Sequence, residues 1–112
     1  MRKIQSCREY FDTVQERFLP EHAAGVAAII VYELEGPEGG AWTLRVDNGQ
    51  VSVEEGGAIE PTVTYKIRAQ DFIDLANGDL NGVKAFTLRK LKVGGSIQMA
   101  QKINKFLPSA AL

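Results

Sequence analysis

The strongest constraint on the fold of this chain is a succession of four segments in which apolar and polar residues alternate. The run AAIIVYELEG, which begins at Ala27, is rich in β-branched residues and ends in alternation. AWTLRVD, QVSVEE and TVTYKIR follow it, each with apolar residues at every second position. Asn48-Gly49 separates two of these segments, and this dipeptide favours a type I′ hairpin turn, which needs positive φ at both central residues. The pattern predicts a meander of four strands with one apolar face.

A sheet with one apolar face requires a second layer, and the segments on either side of the strands have helical patterns. Residues at steps of three and four form an apolar stripe that stops before Pro20: Ile4, Cys7, Tyr10, Phe11, Val14 and Phe18. PEHAAG predicts a short second helix, because proline favours the start of a helix and glycine its end. Helices are therefore expected on both sides of Pro20.

The C-terminal half supplies more covering elements. AQDFIDLANG predicts a helix that ends at Gly78, and LNGVKAFTLRK predicts another that starts near Asn81. Leu91-Lys92-Val93 predicts a short fifth strand, and Ser96 is a suitable N-cap for a final amphipathic helix. The fold class expected is α+β, a five-stranded, mostly antiparallel sheet with helices covering one face, in one domain over residues 1–112.

Composition narrows the classes of partner and the compartment. The chain has 112 residues and a net charge of −1, which gives no field to attract nucleic acid, so a nucleic-acid partner is disfavoured. The single cysteine, Cys7, cannot form an internal disulfide and suits a reducing compartment. The N-terminal residues resemble no signal peptide, and the terminal SAAL lacks the basic residue of a Ser-Lys-Leu peroxisomal signal. We therefore expect a cytoplasmic protein.

Few residues offer catalytic chemistry. Cys7 belongs to the apolar stripe and His22 to the short helix predicted at the surface, so a structural cysteine and a solvated histidine are favoured over a catalytic pair, and no metal site or cofactor is expected. Acid–base chemistry at Asp71, Asp74 or Asp79 stays open, and a strongly raised pKa in a cleft would be its sign. The cluster of Arg89, Lys90 and Lys92 is more typical of a solvated face, with docking of an anionic head group or a membrane surface as the alternative.

Three segments in a fixed order carry a resemblance to a known family. GAWTLRVDNGQVSVEEG, PTVTYKIRAQDFIDLANGDLNGVKAF and KLKVGGSIQMAQKI resemble the sterol carrier protein 2 family, and the similarity runs from about Tyr10 to Phe106. The resemblance implies helices that enclose an apolar tunnel and non-catalytic binding or transfer of fatty acid, fatty acyl-CoA, phospholipid or sterol. It also implies that the C-terminal helix borders the tunnel mouth.

The tunnel implied by the resemblance would be lined by apolar residues of three helical segments, although each of them also suits plain core packing. The candidate wall residues are Phe72, Leu75, Ala76, Phe86, Leu88, Met99, Ala100, Ile103 and Phe106. Two positions depart from the family: Arg89 stands where glycine is usual, and Gly94 where lysine is common. Both departures leave the ligand class open.

An alternative is a structural or dimerisation module that has the same fold and no ligand. A cavity of roughly 300–1,000 Å³ would favour the lipid carrier, whereas a fully packed core would favour the module. A lipid or fatty acyl ligand is the expected partner, and homodimerisation and transient membrane contact are left open.

Overall fold

The structure is a computed structural model that describes residues 3–37 and 39–107, apart from the side chains at positions 82, 83 and 104. The SAAL segment lies outside these residues. Within them, five strands form one sheet in the order β3-β2-β1-β4-β5. The strands are β1 (Ala27–Glu35), β2 (Gly40–Asp47), β3 (Gln50–Glu55), β4 (Val63–Arg68) and β5 (Leu91–Gly95). The mostly antiparallel sheet expected from the alternation is confirmed.

One step of the predicted meander is wrong. β4 pairs with β1 in parallel instead of with β3, so residues 56–62 carry the chain across one face of the sheet. Thr62 fixes the start of β4, because its N–H donates to Ile29 O at 2.8 Å and its Oγ1 accepts from Ile29 N at 3.1 Å. Thr43 lies under this crossover, fully buried, and its hydroxyl donates to Gly56 O at 2.7 Å. Alternation fixes which face a residue occupies, but it does not fix which strand pairs with which.

The Asn48-Gly49 turn is confirmed. Asp47 pairs with Gln50, and the two residues between them have φ angles of 45° and 84°. Positive φ angles at both central residues are typical of a type I′ turn, whose twist matches that of the two flanking strands. This hairpin aligns β2 with β3 so that Leu44 and Val53 share the apolar face.

Four α-helices cover that face in the described part of the chain: α1 (Cys7–Asp12), α2 (Ala69–Ala76), α3 (Gly82–Thr87) and α4 (Ile97–Phe106). The six residues of the N-terminal stripe are all buried, as predicted, but the helix through them is shorter than the stripe. It gives way at Thr13 to a 3-10 turn at Val14–Glu16, and a second 3-10 turn at Pro20–His22 replaces the predicted short helix.

Local bonds explain why α1 stops. The Thr13 hydroxyl donates to Glu9 O at 2.7 Å, and Arg17 Nη1 donates to Tyr10 O and Thr13 O at 3.3 and 3.1 Å. Arg17 thereby satisfies the carbonyls of Tyr10 and Thr13, which the N–H groups of a longer α-helix would have bonded. The remaining predicted caps are confirmed, since the side chains of Asn81 and Ser96 accept N–H bonds from Lys84 and Met99.

The core between sheet and helices is centred on aromatic rings. Phe11 stacks on Trp42 at 4.8 Å between ring centroids and on Phe72 at 5.7 Å. Tyr10 and Tyr32 meet the same ring edge-on at 5.1 and 5.3 Å. Edge-to-face and offset contacts of this kind are favourable, and they join α1, α2 and two strands into one cluster.

Candidate functional site

The nine candidate wall residues divide into two groups. Seven belong to the core or pack against it: Phe72, Leu75, Ala76, Met99, Ala100, Ile103 and Phe106. The other two, Phe86 and Leu88, are 51% and 55% exposed. No tunnel bounded by all nine is evident in the described residues, so their role as ligand contacts stays a prediction.

Phe86 lines an open groove beside the edge strand β5. The groove encloses about 450 Å³ and is bordered by Phe86, Thr87, Arg89, Leu91, Lys92 and Val93. Leu91 and Val93 point to the helix side of the sheet, because they pair with the core residues Ile67 and Tyr65 of β4. The groove therefore has an apolar floor with cations at its rim.

A second pocket, of about 300 Å³, lies on the opposite face of the sheet and is rich in cations. We call it the basic pocket; it is lined by Glu35, Lys66, Arg68, Asp71, Arg89, Lys90 and Lys92. Five of these seven side chains are cationic, and Lys66 sits directly across from Lys92. The sequence indicated Arg89, Lys90 and Lys92, but it did not indicate the two β4 residues, because outward positions of an alternating strand resemble any solvated face.

A cleft of larger volume lies elsewhere, between the β1–β2 turn and the start of α2. It encloses about 900 Å³ and is lined by Glu35, Gly36, Pro37, Arg68, Ala69, Gln70 and Ile73. None of the nine candidate residues borders it. The smaller groove is better suited to an amphiphilic ligand, since its apolar floor adjoins a cationic rim.

Three buried hydroxyls were not anticipated from the sequence. Tyr10, Tyr32 and Tyr65 are 0%, 1% and 3% exposed, and their hydroxyl oxygens have no hydrogen-bond partner among the described residues. Burial raises the pKa of all three phenols above the ordinary value of 10.0. They therefore stay neutral at physiological pH. The sequence could have indicated the burial of two of them, because Tyr32 and Tyr65 occupy core-facing positions of alternating strands.

The residues considered for catalysis from the sequence do not come together in one site. Cys7 is buried, as predicted, and its Sγ donates to Ala69 O at 3.7 Å, whereas His22 is exposed. Asp74 accepts from Gln70 at 3.0 Å, and Asp79 pairs with Lys3 at 2.9 Å on the surface. Residues 3–37 and 39–107 contain no group of three or more His, Cys, Asp or Glu side chains placed to hold a metal ion.

A family model decides the affiliation of the chain. The model described as the SCP-2 sterol transfer family matches residues 11–108. This chain belongs to that family. The predicted resemblance is thereby confirmed over nearly the whole chain.

Curated relatives with this SCP-2 region are much longer proteins. Peroxisomal multifunctional enzyme A of Dictyostelium discoideum is 37% identical over 73 residues, which cover 64% of this chain and 17% of that protein. Hydroxysteroid dehydrogenase-like protein 2 of Rattus norvegicus is 30% identical over 103 residues, covering 88% of this chain and 19% of the relative. The chain thus spans about a fifth of the length of these relatives.

Solved structures support the SCP-2 fold. The sterol carrier protein domain 2 of Helicoverpa armigera is 28% identical, with a TM-score of 0.72, and the match covers 92% of this chain and 84% of that one. The sec-alkylsulfatase Pisa1 from Pseudomonas sp. is 19% identical with a TM-score of 0.75, and the match covers 92% of this chain but 16% of that enzyme. The second likeness concerns the fold alone. No helix in the described residues is long and apolar enough to cross a bilayer.

Proposed function

We propose that this chain, as one domain, binds or transfers lipids without catalysing a reaction. The observation that carries the proposal is that Arg89 and Lys92 border both the apolar groove and the basic pocket. An amphiphile needs an apolar surface next to a charged or polar one, and here the two share an edge. Family membership supports the same conclusion.

The apolar part of the ligand would lie on Phe86, Leu91 and Val93, and an acidic head group would reach the basic pocket. Each buried methylene contributes about 0.8 kcal/mol, so a long chain gains affinity without directional contacts. The seven packed candidate residues behind this groove would line a tunnel once the helices separate around a ligand. Low selectivity among fatty acid, fatty acyl-CoA, phospholipid and sterol would follow, because methylenes offer nothing specific to recognise.

The first test is titration of the delipidated protein with a fluorescent long-chain fatty acid, followed by competition with unlabelled fatty acid, acyl-CoA and fatty acid methyl ester. We expect saturable binding, with the charged competitors stronger than the uncharged ester. No binding at tens of micromolar by a folded sample would overturn the proposal and would favour the dimerisation module, for which sedimentation velocity is the test.

Two matched pairs of variants locate the ligand. Phe86→Asp should weaken fatty-acid binding about tenfold or more, whereas Ile97→Asp should not, since Ile97 is equally exposed but lies outside the groove. Lys90→Gln combined with Lys92→Gln should weaken it several-fold at low salt, and the effect should shrink as salt screens the charges. Lys102→Gln with Lys105→Gln on α4 is the control for lost charge. Equal effects within either pair would contradict the proposed placement.

Under this proposal, any catalytic activity of the longer relatives belongs to their other regions. The predicted location of this chain is the cytoplasm. A fluorescent fusion of the natural protein would test the location directly.

A further inference from the structure

The three tyrosines of this chain converge on one buried region of the core. They come from three elements: Tyr10 from α1, Tyr32 from β1 and Tyr65 from β4. None of the three hydroxyl oxygens has a hydrogen-bond partner among the described residues. Buried tyrosine hydroxyls nearly always have a partner, and one orphan is already unusual. Three in one place indicate a site that is completed by something other than the protein.

Ring geometry holds the three side chains together. Tyr32 and Tyr65 are direct neighbours across the parallel β1–β4 pair, with ring centroids 5.4 Å apart. Phe72 of α2 bridges to the third ring, since it lies 5.7 Å from Tyr32 and 5.0 Å from Tyr10. The pKa of Tyr32 is raised by burial first and then by charge repulsion from Tyr10 and Tyr65, in keeping with this proximity.

The surroundings select an uncharged ligand group. The three tyrosines are surrounded by aromatic rings of the core. An ionised carboxylate would lose its hydration there at a high cost in free energy. The Arg17 guanidinium lies over the Tyr10 ring at 4.9 Å, but its Nη1 is already bonded to Thr13 and to the Tyr10 carbonyl. Neutral phenols both donate and accept, and an alcohol does the same.

We propose that the hydroxyls of Tyr10, Tyr32 and Tyr65 form an internal hydrogen-bonding site for the terminal hydroxyl of an uncharged long-chain lipid. This inference rests on the lipid-binding function proposed above and names a second ligand class for it. The route inward starts at the groove, because Val93 borders the groove and pairs with Tyr65 across β4 and β5. An alcohol would therefore bind with its polar end inward, whereas a fatty acid would keep its head at the basic pocket.

The test compares two probes that differ only at one end. Both are dodecyl chains with pyrene at one terminus; the other terminus is a hydroxyl in the first probe and a plain methyl group in the second. The wild-type protein should bind the hydroxyl probe about tenfold more tightly, the usual worth of well-made hydrogen bonds in a buried site. Tyr32→Phe combined with Tyr65→Phe should remove that preference and leave the affinity for the methyl probe unchanged.

Thermal unfolding without ligand separates a binding role from a structural one. Because the hydroxyls lack protein partners, the double variant should unfold at the same temperature as the wild type or a few degrees higher. Thr43→Val is the matched control: it also removes a buried hydroxyl, but one bonded to Gly56 on the other face of the sheet. It should lower the Tm and leave the preference for the hydroxyl probe intact.

Each outcome is decisive. Equal affinity of the wild type for both probes would overturn the hydroxyl site while leaving fatty-acid binding, and with it the proposed function, in place. A lower Tm with an unchanged preference would mean that the phenols are structural and held by water. Failure to bind either probe or the fatty acid would overturn both proposals. The wild-type comparison decides the matter even if the double variant does not fold.

Discussion

Arg89 adopts a left-handed backbone conformation, with a φ of 61°, directly after α3. Its N–H donates to Phe86 O at 3.1 Å, and the N–H of Lys90 donates to Ala85 O at 2.8 Å. This pair of bonds is the Schellman motif, in which glycine usually occupies the left-handed position. α2 ends in the same way with Gly78 at that position, φ 81°. The family departure noted in the sequence therefore has a structural consequence.

Replacing this arginine with glycine should stabilise the protein. A left-handed conformation costs an L-residue about 1–2 kcal/mol, and glycine removes this cost. The greater freedom of glycine in the unfolded chain offsets part of the gain in stability. We expect Arg89→Gly to raise the free energy of unfolding by about 0.5–1 kcal/mol in urea denaturation, with an unchanged m-value. Since Arg89 also borders the basic pocket, the same variant should bind fatty acid less tightly.

Gly78→Ala provides the reverse comparison. A Cβ at this position would meet nothing within 4 Å, so the substitution causes no clash. Its only cost is the strain of a left-handed backbone conformation in alanine. We expect a loss of about 1 kcal/mol. An Arg89→Gly variant that is less stable than the wild type would mean that contacts of the arginine side chain outweigh the strain of its backbone.

At the scale of elements, the junction between β5 and α4 depends on one of two adjacent glycines. Gly95 has a φ of 85°, and a Cβ there would lie 2.3 Å from Thr62 O. That carbonyl accepts the N–H of Ser96, which caps α4. Gly94 is different, because its nearest neighbour would be Thr64 Cβ at 3.9 Å. Of these two adjacent residues, Gly95 must therefore be glycine, whereas Gly94 need not be.

Gly95→Ala should cost more than about 2 kcal/mol, because it combines a strained φ with a clash against backbone. Gly94→Ala should change stability by less than about 0.5 kcal/mol. Urea unfolding of both variants measures the difference. Equal stabilities would show that the junction can shift without disturbing the cap of α4.

The helices and strands were largely predictable from the sequence, but the pairing of the strands was not. Core faces, the Asn48-Gly49 turn and the caps at Asn81 and Ser96 follow from local rules that act over a few residues. The parallel pairing of β4 with β1 depends on bonds between Thr62 and Ile29, which are far apart in sequence. The helical stripe before Pro20 was buried as expected, but Thr13 and Arg17 diverted it into a 3-10 turn through side-chain bonds that periodicity does not record.

For the whole molecule, the candidate site was only partly accessible from sequence. Phe86 was named as an apolar residue of a helical segment, and three cations of the basic pocket were named because they lie close together in the sequence. Lys66 and Arg68 join that pocket through strand pairing, and the three tyrosines meet through packing of α1 on the sheet. Such convergence is a tertiary property, so no local pattern reveals it.

The buried tyrosines also govern the alkaline limit of the fold. Burial raises the pKa of each phenol above its ordinary value of 10.0, so the folded state retains protons that the unfolded state releases. Their stabilising contribution is therefore complete below about pH 10 and is lost as the pH rises toward the folded pKa values. Each phenol makes stability fall by up to about 1.4 kcal/mol per pH unit in that range, and the three together by about 4 kcal/mol.

Since the chain has only three tyrosines, its tyrosinate absorbance reports this cluster alone. We expect no tyrosinate in the folded protein at about pH 10.5, and a cooperative appearance of all three phenolates at the pH where circular dichroism shows unfolding. The variant with all three tyrosines changed to phenylalanine should keep its fold to higher pH. Gradual ionisation with a midpoint near 10 in a protein that stays folded would contradict the burial of the cluster, because phenols in contact with water have no reason to resist ionisation.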